Sequence, residues 1–91
     1  MEFEWDEAKS AGNQKLRGFP FAEAALIFEG PTLETIDKRH AYGEIRVRAI
    51  GQVDDHAYVV IYTDRQHVRR IISARRANRK ERKQWQSFVN P

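Results

Sequence analysis

The chain lacks cysteine and long hydrophobic runs. There is no cysteine among its 91 residues, which excludes disulfide bonds and cysteine-ligated zinc. No apolar segment approaches the ~20 residues that a membrane-spanning helix needs. The acidic N-terminus lacks the basic and then apolar pattern of a secretory signal. We therefore expect a cytoplasmic protein that makes no contact with a membrane.

Several sequence signatures of catalysis are also missing. There is no G-x-x-x-x-G-K-[ST] phosphate loop, no G-x-G-x-x-G turn and no nucleophile elbow of the serine hydrolases. The three histidines, His40, His56 and His67, fall in separate turns or loops. No two of them have the helical spacing that is common in metal sites. We expect neither a bound metal nor a cofactor.

Charge is distributed unevenly along the chain, whose net charge is +3. Residues 1–64 carry 7 lysine and arginine residues against 12 aspartate and glutamate residues, a net −5, whereas residues 65–91 carry 9 against 1, a net +8. Such polarity favours an anionic partner for the basic segment, most commonly a nucleic acid. The alternative is a solvated helix face that is rich in lysine and arginine.

The N-terminal third of the chain is predicted to hold one strand and two helices. Phe3 and Trp5 alternate with glutamates, as is typical of a short edge strand. A helix is expected over 7–17, with Gly18 as its natural end. The spacing of apolar residues over 21–28 predicts a second helix with one buried face.

The C-terminal half is predicted to form three strands and a last helix. The runs at 44–50, 56–63 and 67–75 are separated by short turns, which makes neighbouring strands antiparallel. The second run is nearly continuous in apolar residues and should be the central strand. Asn78 and Glu81 have the spacing of a capping box, which predicts the start of a helix.

Together these patterns predict one domain over residues 1–91. The expected class is α+β, in the order β-α-α-β-β-β-α, with an antiparallel sheet and helices packed on one face. Residues 31–43 are the least regular stretch and carry no assignment.

Guanidinium groups near the ends of the predicted strands are the side chains best suited to chemistry. Guanidinium is the favoured partner of phosphate, because its fixed fork of donors matches two phosphate oxygens. We expect Arg65, Arg75 and Arg76 to converge on one spot and to hold and stabilise an RNA phosphate. The arginines expected to support RNA binding are Arg46, Arg69, Arg79 and Arg82.

His40 and Glu44 are the candidates for proton transfer. Cleavage of RNA needs a base for the ribose 2′-hydroxyl, a cation for the pentacovalent phosphate and an acid for the leaving 5′-oxygen. No metal is required if arginines supply the positive charge. His40 and Glu44 lie four residues apart at the start of the first long strand. The alternatives are an exposed histidine without a role and a glutamate that pairs with an arginine.

Three stretches form a pattern that spans nearly the whole chain. They are Phe3 to Lys9 with Asn13, then Phe21 to Phe28 with Asp37, His40, Glu44 and Arg46, and finally Ile71 to Ala77 with Glu81 and Arg82. This pattern resembles the BrnT family of type II toxins, most specifically in the W-D-E-A-K opening combined with the I-I-S-A-R-R-A segment. It departs at the end of the first helix, where the family usually reads lysine-histidine-glycine and this chain has Leu16-Arg17-Gly18.

The resemblance implies a RelE-like ribonuclease fold and cleavage of mRNA that arrests translation. It also implies neutralisation by a BrnA-like ribbon-helix-helix antitoxin in a heterotetramer, which would meet operator DNA only through the antitoxin. We therefore expect a metal-independent endoribonuclease. The alternatives are a nucleic-acid-binding domain without catalysis and an inactive toxin homologue that only binds its antitoxin.

Overall fold

Five strands form one sheet in the computed structural model, which describes residues 1–39 and 43–91. The strands are β1 (Glu2–Glu4), β2 (Leu33–Ile36), β3 (Val47–Val53), β4 (His56–Arg65) and β5 (Val68–Arg76). The helices are α1 (Glu7–Arg17), α2 (Phe21–Ala24) with a 3-10 helix directly after it (Ala25–Glu29), and α3 (Arg79–Val89). The predicted α+β class is confirmed, and β4 is the central strand as expected.

The sheet is mixed, which corrects the prediction of an antiparallel sheet. Its strand order is β1-β5-β4-β3-β2. Strands β2 to β5 are antiparallel to one another, but β1 runs parallel to β5, from the pair Glu2 and Val68 to the pair Glu4 and Arg70. No tight turn joins β1 to β5, so the short-turn argument does not constrain its direction. Strand β2, within the stretch that carried no assignment, is the second unpredicted feature.

Helices pack on both faces of the sheet, which corrects the prediction of helices on one face. Tyr58 and Val60 of β4 belong to the core cluster that includes α2 and the 3-10 helix. Val59 of β4 and Ile50 of β3 belong to a second cluster, against which Trp85 of α3 packs. Because β4 is apolar at successive positions, both of its faces need a cover. Helix α3 supplies the cover on the second face.

The predicted helix ends at Gly18 and Asn78 are confirmed. Gly18 follows α1 in the left-handed conformation, at φ 86°, and its N–H bonds to the carbonyl of Gln14. At the start of α3, the Asn78 side chain accepts from the Glu81 N–H, and the Glu81 side chain accepts from the Asn78 N–H. Reciprocal bonding of this kind satisfies two backbone donors that the helix leaves unpaired. The capping box therefore fixes α3 directly after β5.

Gly51 of β3 lies directly against the 3-10 helix. A Cβ placed there would lie 2.7 Å from Ile27 Cβ and 3.2 Å from Thr32 Cγ2. We expect Gly51→Ala to lower the free energy of unfolding by about 1–3 kcal/mol, as overpacked cores do. Urea denaturation measures this loss. Gly30→Ala is the control, since, apart from its chain neighbours, no described residue lies within 4 Å of its added Cβ; equal stability of the two variants would contradict the prediction.

Candidate nucleic-acid interface

A groove of about 650 Å³ crosses the sheet face on which α3 packs. Its floor includes Val59 and Ile61 of β4 and Ser73 of β5. The basic residues that line it are Arg17, Lys38, Arg39, Arg48 and Arg75. Among the residues that the structure describes, Asp37 is the one acidic residue in the lining, so the described lining has an excess of positive charge. We call it the arginine groove.

Glu81 of α3 holds two of the groove arginines in place. Its carboxylate accepts two hydrogen bonds from Arg75, each 2.8 Å, and one of 2.5 Å from Arg48 Nη2. The same carboxylate accepts the Asn78 N–H of the helix cap at 2.9 Å. Only 7% of the Glu81 side chain is exposed. One buried carboxylate thus fixes guanidinium groups from β3 and β5 relative to the first turn of α3.

The ionisation of Glu81 follows from these contacts. The hydrogen bond from Arg75 is the largest cause that lowers its pKa, with further lowering by the Asn78 N–H and by Arg48. Desolvation opposes this shift, and the resulting pKa is about 2. The carboxylate is therefore charged at neutral pH. Its single negative charge faces two guanidinium groups, which leaves a net positive charge for a phosphate.

Two further arginines reach the groove from outside the central strands. Arg17 is the last residue of α1, and its Nη1 donates to the carbonyl oxygen of Ala74 at 3.0 Å. This carbonyl lies on β5 beyond Arg70, where the pairing of β5 with β1 ends. Arg39 donates to both carboxylate oxygens of Asp37, at 2.8 and 3.0 Å. Sequence reasoning did not place Arg17, Arg39 or Glu81 at the site.

Arg75 and Arg76 point to opposite faces of the sheet. Consecutive side chains on a strand alternate between faces, and Arg75 lines the arginine groove. Arg76 lies on the other face, where its Nη1 is 2.6 Å from His56 Nδ1 and its guanidinium lies 5.8 Å from the centre of the Tyr58 ring. The predicted convergence of these two neighbours is wrong.

Arg65 is far from the groove along the sheet. Val59 is the β4 partner of Arg75, and Arg65 lies six positions further along β4, roughly 20 Å at the rise of an extended strand. The expectation that Arg65 joins Arg75 and Arg76 at one phosphate is therefore also wrong. Arg65 lies beside the turn of the β4–β5 hairpin, whereas Arg75 lies near its open end. The two residues are therefore far apart in space although only ten positions separate them in sequence.

Glu44 belongs to an ion cluster with Arg65 and Arg46. Its Oε1 accepts from Arg65 Nη2 at 2.8 Å, and its Oε2 accepts from Arg46 Nε at 3.4 Å. The hydrogen bond from Arg65 is the main cause that holds the pKa of Glu44 below its usual value. The carboxyl is thus ionised at neutral pH. The structure matches the alternative in which Glu44 pairs with an arginine.

A bulge in β5 explains the position of Arg69. The register shifts between Ile61 and Tyr62, and Ile72 on β5 is left without a partner. The extra residue reverses the alternation of side chains, so Arg69 and Arg75 face opposite sides although they are six residues apart. The Arg69 guanidinium lies 3.9 Å from the centre of the Tyr62 ring. It packs on the core instead of lining the arginine groove.

The basic residues of α3 form a separate exposed surface. Arg79 lies beside Lys80 and Lys83 on this helix. Arg82 is exposed, and its Nη1 donates to the carbonyl of Ala77 at 3.0 Å. Both arginines are therefore accessible to an anionic partner, and α3 continues directly from the strand that carries Arg75.

His40, the predicted proton-transfer residue, lies outside the described residues. It directly follows Arg39, which lines the arginine groove. Two further findings concern residues 1–39 and 43–91. No group of three histidine or acidic side chains there is placed to hold a metal ion. In the same part of the chain, no helix combines the length and apolar character that a bilayer crossing requires.

The structure is that of a small α+β protein with a groove lined by five basic side chains. Residues 5–81 match the family described as the ribonuclease toxin, BrnT, of the type II toxin-antitoxin system. The match covers most of the 91 residues, so this chain belongs to the BrnT family of ribonuclease toxins. Its target class is therefore RNA, and its protein partner is an antitoxin. No curated protein matches the chain.

Proposed function

We propose that this chain is an endoribonuclease that cleaves RNA in the arginine groove without a metal ion. The observation that supports this most directly is that Arg48 and Arg75 both bond to the same carboxylate oxygen of Glu81. Donors that are fixed before the reaction stabilise developing charge without a reorganisation cost. Arg17 and Arg39 supply further positive charge along the same groove.

The proposed reaction uses the RNA's own 2′-hydroxyl. The 2′-oxygen attacks the adjacent phosphorus, and the bond to the 5′-oxygen breaks. The products are a 2′,3′-cyclic phosphate and a 5′-hydroxyl. Arg48 and Arg75 stabilise the extra negative charge on the pentacovalent phosphate. This step needs no oxidant, no second substrate and no metal.

Proton transfer is assigned in this proposal to His40. It follows Arg39 in the chain, and Arg39 lines the groove. Imidazole is suited to both directions of proton transfer near neutral pH. We assign no such role to Glu44, because its ionised carboxylate is occupied by Arg65 and lies outside the groove lining.

The remaining basic residues are proposed to bind the flanking RNA backbone. Arg46 and Arg65 would contact phosphates beyond one end of the arginine groove, and Arg79 and Arg82 would contact phosphates along α3. Contacts of this kind release counterions and weaken steeply with salt. Arg69 and Arg76 receive no role in this proposal, since both face the opposite side of the sheet.

The proposed cellular role starts from family membership and adds a mode of action and a type of antitoxin. We propose that cleavage of mRNA in the cytoplasm inhibits translation. We further propose that a BrnA-like ribbon-helix-helix antitoxin neutralises the chain in a heterotetramer, and that this assembly binds operator DNA through the antitoxin. A ribbon-helix-helix gene in the adjacent reading frame would agree with this proposal.

The test is cleavage of end-labelled RNA by the purified chain in excess EDTA. We expect cleavage with 2′,3′-cyclic phosphate ends, at an unchanged rate when magnesium is added. Arg70→Ala is the control for general loss of positive charge, because Arg70 is outside the groove lining and its Nη1 donates to Glu4 at 2.7 Å. This variant should cleave RNA normally. RNA retardation without cleavage would instead indicate a non-catalytic binder. Cleavage that requires magnesium would contradict the metal-independent mechanism.

A further inference from the structure

A second groove, on the opposite side of the sheet, is mainly apolar. It lies between β1 and the helical stretch formed by α2 and the 3-10 helix, and its volume is about 480 Å³. Its lining includes Met1, Phe3, Trp5, Leu26 and Phe28. Phe3 and Phe28 pack on the core cluster of the face that carries Tyr58. We call this concavity the apolar groove.

The apolar groove gathers exposed hydrophobic surface in one place. Met1 is 72% exposed and Leu26 is 42% exposed, and both line it. Phe3, Trp5 and Phe28 are half-buried along the same concavity. Isolated exposed apolar residues need no explanation, whereas a contiguous patch indicates an interaction site. Aromatic residues and methionine are also enriched at the centres of protein interfaces.

Carboxylates border the apolar groove. Glu29 is part of the lining and is exposed. Glu7 accepts a hydrogen bond of 2.9 Å from Trp5 Nε1. Among the described residues of the lining, Arg69 is the one basic side chain, and Asp64 compensates it through bonds of 2.8 and 3.0 Å. The N-terminal ammonium of Met1 is a second cation in this lining. Glu7 and Glu29 outnumber the one uncompensated cation, the Met1 ammonium, so the rim keeps a net negative charge. This charge disfavours RNA and favours a partner with cationic groups beside its apolar side chains.

We propose that the apolar groove binds the antitoxin through a segment that presents a large apolar side chain flanked by lysine or arginine. The apolar side chain enters between Leu26 and Phe28, and the flanking cations meet Glu7 and Glu29. This inference rests on the antitoxin partnership of the proposed function. It places the main antitoxin contact on the sheet face opposite the arginine groove, so Arg48 and Arg75 are not part of it.

The experiment measures binding of the protein encoded beside this gene, purified by itself, to variants of this chain. We expect Leu26→Glu to weaken the affinity at least about tenfold, as for an interface anchor. Leu16→Glu is the matched control, because Leu16 is 86% exposed on α1 and outside the groove lining; its affinity should equal wild type. Circular dichroism checks that both variants fold.

A second variant keeps the test decisive if Leu26→Glu does not fold. Glu29→Lys changes an exposed rim residue, and we expect about tenfold weaker binding in low salt, with a smaller difference in high salt. Both groove variants should cleave RNA at the wild-type rate. This assay separates a failure of the docking proposal from a failure of the ribonuclease proposal.

Three results would overturn the docking proposal. The first is wild-type affinity in Leu26→Glu and in Glu29→Lys. The second is loss of binding only when Arg48 and Arg75 are replaced, which would place the antitoxin in the arginine groove. The third is that the neighbouring protein does not bind wild type at all. If Leu26→Glu then disrupts a dimer of this chain, the apolar groove binds a second copy of the chain and not the antitoxin.

Discussion

Alanine at Arg75 should lower the rate of RNA cleavage by about 100- to 1000-fold, the usual effect of removing one preorganised donor from a charge-stabilising site. Alanine at the next residue, Arg76, should change the rate by less than about threefold, through a weaker general attraction to RNA. The reason for the contrast is the strand itself, which directs Arg75 into the arginine groove and Arg76 to the other face.

This comparison controls for charge and for sequence position. Both variants remove one arginine from neighbouring positions of β5, so their net charges are equal. In Arg75→Ala, Glu81 keeps its bonds to Arg48 Nη2 and to the Asn78 N–H, and we expect the fold to persist. Single-turnover cleavage measures the effect, and growth arrest on expression gives a second readout. Equal losses in the two variants would refute the assignment of the site to the groove.

Replacement of Glu81 should cause the second-largest effect, on stability as well as on cleavage. A pKa lowered from 4.5 to about 2 corresponds to about 3 kcal/mol of unfolding free energy at neutral pH. We expect Glu81→Gln to lose most of this amount, because a neutral amide replaces a charge that faces Arg48 and Arg75. Cleavage should also fall, since both guanidinium groups lose their fixed positions.

The pH dependence of this loss has a defined sign. The pKa of Glu81 is lower in the folded state than in the unfolded state, so its stabilisation is present above about pH 4.5 and is lost as the pH falls toward 2. The difference in unfolding free energy between wild type and Glu81→Gln should therefore be largest near neutral pH. It should shrink as the pH approaches 2. Urea denaturation across this range measures it, and a pH-independent difference would contradict the electrostatic explanation.

The element order and helix ends were largely predictable from local sequence. The apolar run of β4, the stop at Gly18 and the capping box of Asn78 each depend on neighbouring residues, and the structure confirms all three. Strand β2 was not predictable in this way, because its residues from Glu34 to Ile36 are exposed. Its position depends on pairing with β3.

The candidate site was predictable only as a set of residue types. The excess of arginine in the C-terminal segment indicated phosphate binding, and Arg75 does line the groove. The grouping with Arg65 and Arg76 failed, because strand alternation and the length of the hairpin separate them. Glu81 was recognised as a helix cap, but its contact with Arg48 joins residues 33 positions apart. No local pattern carries that information.

Sequence alone determined the class of fold, the family and the chemical character of the candidate site, because periodicity, capping and composition act over short distances. Tertiary structure alone decided which arginines share a face. The bulge at Ile72 reverses the alternation within β5, and the reach of Arg17 to Ala74 spans 57 positions. Register and packing between distant segments set both features, and a one-residue shift is enough to move a side chain to the other face of a sheet.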